Sequence, residues 1–339
     1  MNVFELTHQL INIESITGNE LAVGNQLAAI LKDLCGRFNG KLEIFEVEPN
    51  RNNVLATFGD PVVTFSTHMD TVPPYFASRE DDEFIWGRGA CDTKGIIASM
   101  ITAVEALLTS GVRNIALLFV VGEERNSAGA YFAAKNPRGS KYLINGEPTE
   151  NQLALGSKGA MRLEIETTGR MSHSAYPELG DSAINKLLDV LQDVRALQFP
   201  IDPVLGDSTV NIGTISGGRA PNVVPDYAKA ELLIRLIDDG ENLRQSIDRC
   251  VNGRATVREL LRIPALRLKS FEGFRTAVMK YTTDIPAFNG AWGQPLLIGP
   301  GTIHVAHTSE ERVPKRELLE AVEIYQKLAH LLLAGSAGS

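Results

Sequence analysis

Val62-Val63-Thr64-Phe65-Ser66-Thr67-His68-Met69-Asp70-Thr71-Val72-Pro73-Pro74 is the stretch from which the fold can be read. Its apolar start, Val62 to Phe65, reads as a buried strand. The side-chain period of two leaves His68 and Asp70 on one face at the strand's end. A histidine and a carboxylate at that spacing suit a metal ligand and its orienting partner: one ring nitrogen of His68 meets the cation while Asp70 accepts the other ring N–H and fixes the tautomer. Taken alone, His-x-Asp also fits a surface loop. The segments that follow decide between the two.

After Trp86-Gly87-Arg88-Gly89-Ala90-Cys91-Asp92-Thr93-Lys94-Gly95, the residues Ile96, Ile97, Met100, Ile101, Val104, Leu107 and Leu108 mark one face of a helix ending at Gly111. Asp92 then stands at a helix N-terminus, where Asp is also a good cap. The glycines do not make a phosphate loop, because the order is Thr-Lys-Gly rather than Gly-Lys-Ser/Thr. Ile115 to Val121 is a continuous apolar run, as in a strand covered on both faces, and it ends in Gly122-Glu123-Glu124. Leu143-Ile144 leads in the same way to Gly146-Glu147-Pro148-Thr149. Strand after strand ends in residues that can bind a metal, and in open α/β sheets sites are built at the carboxyl ends of strands.

Upstream, Val3 to Ile11 and Leu21 to Leu34 have helical spacing, the second closed by Gly36 with Thr17 and Asn19 as candidate caps. From Lys158 the pattern becomes β-α-β-β-α-β: Met161 to Thr167, Ser182 to Leu197, Val210 to Thr214, Ala228 to Ile237, Glu241 to Val251, Ala255 to Ile263. That is the order of a ferredoxin-like unit. The expected organisation is therefore one α/β domain made of residues 1–157 and 266–339, interrupted by an α+β domain at 158–265.

With 339 residues, 44% hydrophobic and 22% charged, the chain is globular and large enough for two domains. A net charge of -8 with no basic stripe argues against nucleic acid or an anionic membrane as partner. The N-terminus lacks a basic region followed by an apolar core, so the expected compartment is the cytoplasm. Cys35, Cys91 and Cys250 are widely spaced, which argues against a disulfide framework or a thiolate zinc site.

Collected, the strand-end residues are His68, Asp70, Asp92, Glu123, Glu124, Glu147 and His307. Carboxylates crowded into one cleft repel, and divalent cations relieve the repulsion. Imidazole and carboxylate together suit two Zn²⁺ ions sharing a bridging carboxylate, with Co²⁺ as a possible substitute.

In this order, His-x-Asp, Gly-Arg-Gly-x-x-Asp-x-Lys-Gly, Gly-Glu-Glu, Gly-Glu-Pro-Thr and Ala-His-Thr-x-Glu-Glu resemble the di-zinc metallopeptidases and deacylases that include acetylornithine deacetylase, succinyl-diaminopimelate desuccinylase and glutamate carboxypeptidase. The resemblance covers nearly the whole chain. It implies a zinc-exopeptidase-like mixed sheet flanked by helices, with the inserted domain as lid and dimerisation surface. By resemblance His68 and Glu147 hold one zinc, Glu124 and His307 the other, and Asp92 bridges them through a turn whose following peptide is often cis. Asp70 orients His68, and Glu123 is the general base. In the lid, His173 steadies the oxyanion in a partner subunit's site, while Asn222 and Arg235 bind substrate. The Gly299-Pro300-Gly301 turn is a further candidate clamp for a substrate carboxylate, and His304 rivals His307 as ligand. Gly-Ala-Cys-Asp-Thr-Lys-Gly, Gly-Glu-Pro-Thr and Gly-Pro-Gly-Thr-Ile-His look most like acetylornithine deacetylase, which implies hydrolysis of an N-acyl-L-amino acid. The alternatives are a dipeptidase or carboxypeptidase using the same metals, and a non-catalytic binding protein of this fold.

Overall fold

The Val63–His68 strand is buried at every position. In the computed structural model, which describes residues 1–336, it lies inside a six-stranded mixed sheet. The order across the sheet is Lys41–Glu48, Arg51–Phe58, Ile115–Val120, Val63–His68, Tyr142–Asn145, Gln294–Leu297. Val63–His68 runs parallel to both of its neighbours, and Gln294–Leu297 runs parallel to Tyr142–Asn145. Their carboxyl ends therefore share one edge of the sheet. The loops leaving that edge carry Asp70, Glu123, Glu124, Glu147 and His307.

The chain divides into two compact units. Among the described residues the first comprises Met1–Leu155, Leu268–Ala277 and residues 283–336; the second comprises Gly156–Arg267 and the short return Val278–Thr282. In the first unit the helix Gly95–Thr109 is apolar nearly all round rather than on one face, and packs against Lys315–Ser336 and Val3–Ile11. Phe65 meets Tyr325 edge-on with ring centroids 5.8 Å apart. The Tyr325 hydroxyl donates to the Ile298 carbonyl at 3.0 Å, tying the last helix to the loop that leads to His307.

Three local expectations change. The helix Leu21–Phe38 runs past Gly36 and stops at Asn39, in left-handed conformation with its N–H on the Cys35 carbonyl. A glycine costs a helix interior only about 1 kcal/mol, and Leu34 and Cys35 are buried in the core. The position capping this helix is Glu20, not Thr17 or Asn19; the Thr17 hydroxyl is committed to Asp70 instead. Asp92 does not cap the following helix, which begins at Gly95. It sits in an irregular turn, Ala90–Lys94, with φ -127 and a cis Asp92–Thr93 peptide.

The second unit is an antiparallel sheet in the order Thr209–Gly217, Tyr227–Leu236, Gly159–Thr168, Thr256–Ile263. The helices Ala183–Ala196 and Glu241–Val251 complete a β-α-β-β-α-β sequence. Along Tyr227–Leu236 burial alternates, and Ala228, Ala230, Leu232, Ile234 and Leu236 share a core with helix residues such as Leu187, Val190 and Ile247. Among the described residues no helix is long and apolar enough to cross a membrane.

Candidate metal centre

Asp92 is the centre of the constellation. Its Oδ1 lies 3.0 Å from His68 Nε2 and its Oδ2 lies 3.2 Å from His307 Nε2, so its two oxygens serve two different imidazoles. His307 Nε2 also reaches Glu124 Oε1 at 3.0 Å. Of the two candidate histidines, His307 is the one whose ring stands beside Asp92 and Glu124. His304 is exposed, and its backbone N–H bonds the Thr302 hydroxyl.

His68 Nδ1 lies 2.9 Å from the Asp70 backbone carbonyl and 3.6 Å from its Oδ1. His68 Nδ1 thus faces Asp70 as expected, and the main-chain oxygen of Asp70 is its nearer acceptor. The Asp70 carboxylate has a larger task that the sequence did not reveal. Oδ1 accepts from the Gly122 and Glu123 amides at 2.9 and 3.1 Å; Oδ2 accepts from the Glu124 amide at 3.2 Å and from Thr17 Oγ1 at 2.8 Å. One fully buried anion thus holds the loop bearing both glutamates. Gly122 begins that loop at φ +84, and its carbonyl accepts the Asn126 and Ser127 amides. A side chain there would be strained, because that conformation crowds a Cβ.

A second buried anion ties the two remaining ligand segments together. The sheet pairing of Arg312–Pro314 with Phe84–Trp86 brings Glu311 beside the Gly87–Asp92 turn. Glu311 accepts from Arg88 Nη1 at 2.5 Å, the Gly89 amide at 2.9 Å and the Asp92 amide at 3.3 Å. It thereby connects the Asp92 turn to the His307 loop across 219 positions of chain. Burial and the nearby Asp92 charge push the Glu311 carboxyl up to about 7, against the pull of Arg88.

Charge in the cleft is under-compensated. Burial raises Glu123 and Glu147 well above the usual carboxylate range, and their mutual repulsions with other acids add to it. Glu124 is also raised, by burial first, with His307 pulling the other way. Burial would raise Asp92 as well, but the hydrogen bonds from His307 and His68 outweigh it and lower its pKa. Asp92 and Glu124 in turn raise His307 to about 10.

These residues fit divalent cations. His68, Asp92 and Glu124 each offer a ligand atom, all within 4.8 Å of one another. Glu147 is 4% exposed and its Oε1 has no hydrogen-bond partner among the described residues. Leaving such an acceptor unmet costs free energy that a cation would recover.

The remaining candidates divide. The Gly299-Pro300-Gly301 turn is not a free N–H clamp: the Gly299 amide donates to Thr149 Oγ1 at 3.0 Å and the Gly301 amide to Glu317 Oε2 at 2.8 Å. In the second unit, the His173 and Asn222 loops are joined by a His173–Val223 bridge and by the Ser174 amide on the Asn222 carbonyl. Arg235 lies elsewhere. Tyr227 and Arg235 sit at opposite ends of the strand's pairing with Gly159–Thr168, roughly 27 Å apart by strand rise. Asn222 and Arg235 of one chain therefore do not converge on one carboxylate.

The Arg88–Glu311 tie makes a testable demand. Glu311→Gln should destabilise the protein by about 3–5 kcal/mol, because it leaves Arg88 buried and unpaired. Combining it with Arg88→Met should recover at least ~1 kcal/mol of coupling in urea denaturation. Additive losses would contradict the pairing.

Comparison with known proteins bears on the family and the fold. The model of Peptidase family M20/M25/M40 matches residues 64–331. A peptidase M20 domain-containing protein of Schizosaccharomyces pombe is 34% identical over 339 residues, covering 96% of this chain and 84% of that protein. A probable carboxypeptidase of Aspergillus niger is 34% identical over 368 residues, covering 94% and 87%. Among solved structures, aminopeptidase PepT of Bacillus cereus superposes with a TM-score of 0.78 over 96% of each chain at 19% identity, which speaks to the fold. With the family model spanning most of the sequence and relatives matching nearly end to end, the chain belongs to peptidase family M20/M25/M40 and is a hydrolase with that family's mixed-sheet fold.

Proposed function

We propose that this enzyme is a two-metal peptidase that cleaves a short peptide, releasing a C-terminal residue or splitting a dipeptide. The observation carrying the reading is Asp92, whose separate oxygens face His68 and His307. His68 and Glu147 would hold one cation, His307 and Glu124 the other, with Asp92 common to both. Imidazole with carboxylate favours Zn²⁺, and Co²⁺ is a fitting substitute. When bound, such ions polarise the scissile carbonyl and acidify water.

The chain's own residues supply the rest. Glu123 pairs with neither histidine, and burial followed by Glu147 raises its proton affinity. A carboxylate so placed is suited to take a proton from water and return it to the leaving amine. Asp70 keeps Glu123 and Glu124 at fixed positions through their amides. In the second unit, His173 and Asn222 stand at one end of the sheet and Arg235 at the other. We read this as a lid that completes a site with residues from two copies, His173 steadying the oxyanion of its partner's substrate and Arg235 meeting a carboxylate.

The relatives named as probable carboxypeptidases support a peptide rather than an N-acyl amino acid as substrate. The N-acyl reading, with acetylornithine or a close analogue as substrate, stays as the second one, on the strength of the motifs Gly-Ala-Cys-Asp-Thr-Lys-Gly and Gly-Pro-Gly-Thr-Ile-His. Both reactions hydrolyse an amide beside a carboxylate.

The test is a kcat/KM panel of dipeptides, longer peptides, N-acetyl and N-succinyl amino acids with metal-loaded enzyme, repeated with Glu123→Gln. Peptides should be preferred, and the variant should lose about 10²-fold or more in kcat while keeping its metal. Exclusive cleavage of N-acyl amino acids would replace the peptidase reading with the deacylase one. For the lid, inactive Glu123→Gln and His173→Ala chains should regain activity when mixed, since one hybrid site then holds both groups. Exchanged mixed dimers without activity would exclude action across subunits.

A further inference from the structure

Outside the residues assigned so far, the first unit buries one more acid that nothing among the described residues satisfies. Asp284 is 1% exposed, and among the described residues neither carboxyl oxygen has a hydrogen-bond partner. The Ser127 hydroxyl faces it and lowers its pKa, yet lies outside hydrogen-bonding geometry. The contrast with Asp70 and Glu311 is informative, because those buried acids collect backbone amides, a hydroxyl or a guanidinium on their oxygens.

Asp284 is held there by packing. It begins the short helix Ile285–Phe288, whose Ala287 and Phe288 share a core with Ala130 and Ala133 of the helix Ala128–Ala134 and with Trp292. The Trp292 indole N–H donates to the Ala133 carbonyl at 2.8 Å. The Ala128–Ala134 helix directly continues the loop that carries Glu123 and Glu124. Asp284 thus stands behind that loop on a rigid support. Burial raises the Asp284 carboxyl to about 7, with Ser127 and His68 opposing the shift and the nearby Asp70 and Glu124 charges adding to it.

We propose that Asp284 is a positioning residue of the metal centre, an acid left without protein partners so that its negative charge acts on the cations held by the residues in front of it. The proposal rests on the two-metal reading above. An ion without partners in a low-dielectric interior destabilises the metal-free protein, and the loss of a hydrogen-bonded partner of a metal ligand, which costs about 10–100-fold in metal affinity, sets the scale for a buried charge behind the ligands. A residue that merely packs the turn would affect stability with and without metal alike.

The experiment compares the full-length wild type with Asp284→Asn at pH 8, measuring the Tm of metal-free protein, the Tm gained with Zn²⁺, and Zn²⁺ affinity by competition with a chelator. The expected result has opposite signs: the metal-free Tm of Asp284→Asn is equal to or above that of the wild type, while its Zn²⁺ affinity falls by about tenfold or more and its metal-dependent gain shrinks. Unchanged Zn²⁺ affinity overturns the proposal. A weakened affinity accompanied by a lower metal-free Tm assigns Asp284 to packing and overturns it too. A wild type with no metal-dependent gain overturns the two-metal reading and this proposal with it, which separates that failure from failure of Asp284 alone.

Discussion

Negative charge buried faster than the chain can neutralise it is the constraint around which this structure is arranged. Asp70, Asp92, Glu147, Asp284 and Glu311 are all nearly inaccessible to water. Charges in such surroundings must be paired, hydrogen-bonded or protonated. The protein treats its acids in two ways. Asp70 and Glu311 are saturated by amides, a hydroxyl and a guanidinium, and act as fasteners between segments distant in sequence. Glu147 and Asp284 keep oxygens with no partner, and Glu123 and Glu147 have proton affinities far above the carboxylate norm. The saturated acids build the cleft, and the unsatisfied ones leave in it negative charge that divalent cations would relieve.

The fold supplies the geometry for this division. Parallel strands place their carboxyl ends at a common edge, so His68, the Glu123–Glu124 loop, Glu147 and the His307 loop converge without long excursions. Asp92 comes from outside the sheet, from an irregular turn that precedes the most deeply buried helix. That turn needs its own restraint, and Glu311 provides it through the Gly89 and Asp92 amides. Gly301 shows how closely these segments approach, since a Cβ there would come within 2.5 Å of Cys91 Cβ. The proposed function uses the same arrangement: two cation positions around Asp92 and a base, Glu123, on the loop that Asp70 clamps.

Much of this was legible before the structure. Continuous apolar runs such as Ile115 to Val121 marked two-sided strands, and strand-end carboxylates marked the cleft, because burial and the period of two leave a direct trace in sequence. The antiparallel unit was equally readable from its alternation. What escaped was everything carried by the main chain or by convergence. The Asp70 carboxylate bonds backbone amides of a loop some fifty positions away, and amides have no letter in a sequence. Glu311 was visible only as part of a motif, its task depending on a strand pairing with Phe84–Trp86. Gly299 and Gly301 looked like open donors because nothing local announces Thr149 and Glu317 as their acceptors. Asp284 gave no signal at all, since an Asp before Ile-Pro reads as an ordinary turn residue.

In the proposed site Asp92 joins two cation positions. The most direct measurement is anomalous diffraction at the zinc edge from crystals of the Zn²⁺-loaded protein. The account predicts two peaks about 3.5–4 Å apart, one beside His68 and Glu147, the other beside His307 and Glu124, with one oxygen of Asp92 directed at each. A single peak, or two peaks that leave Asp92 outside the coordination of either, would contradict it.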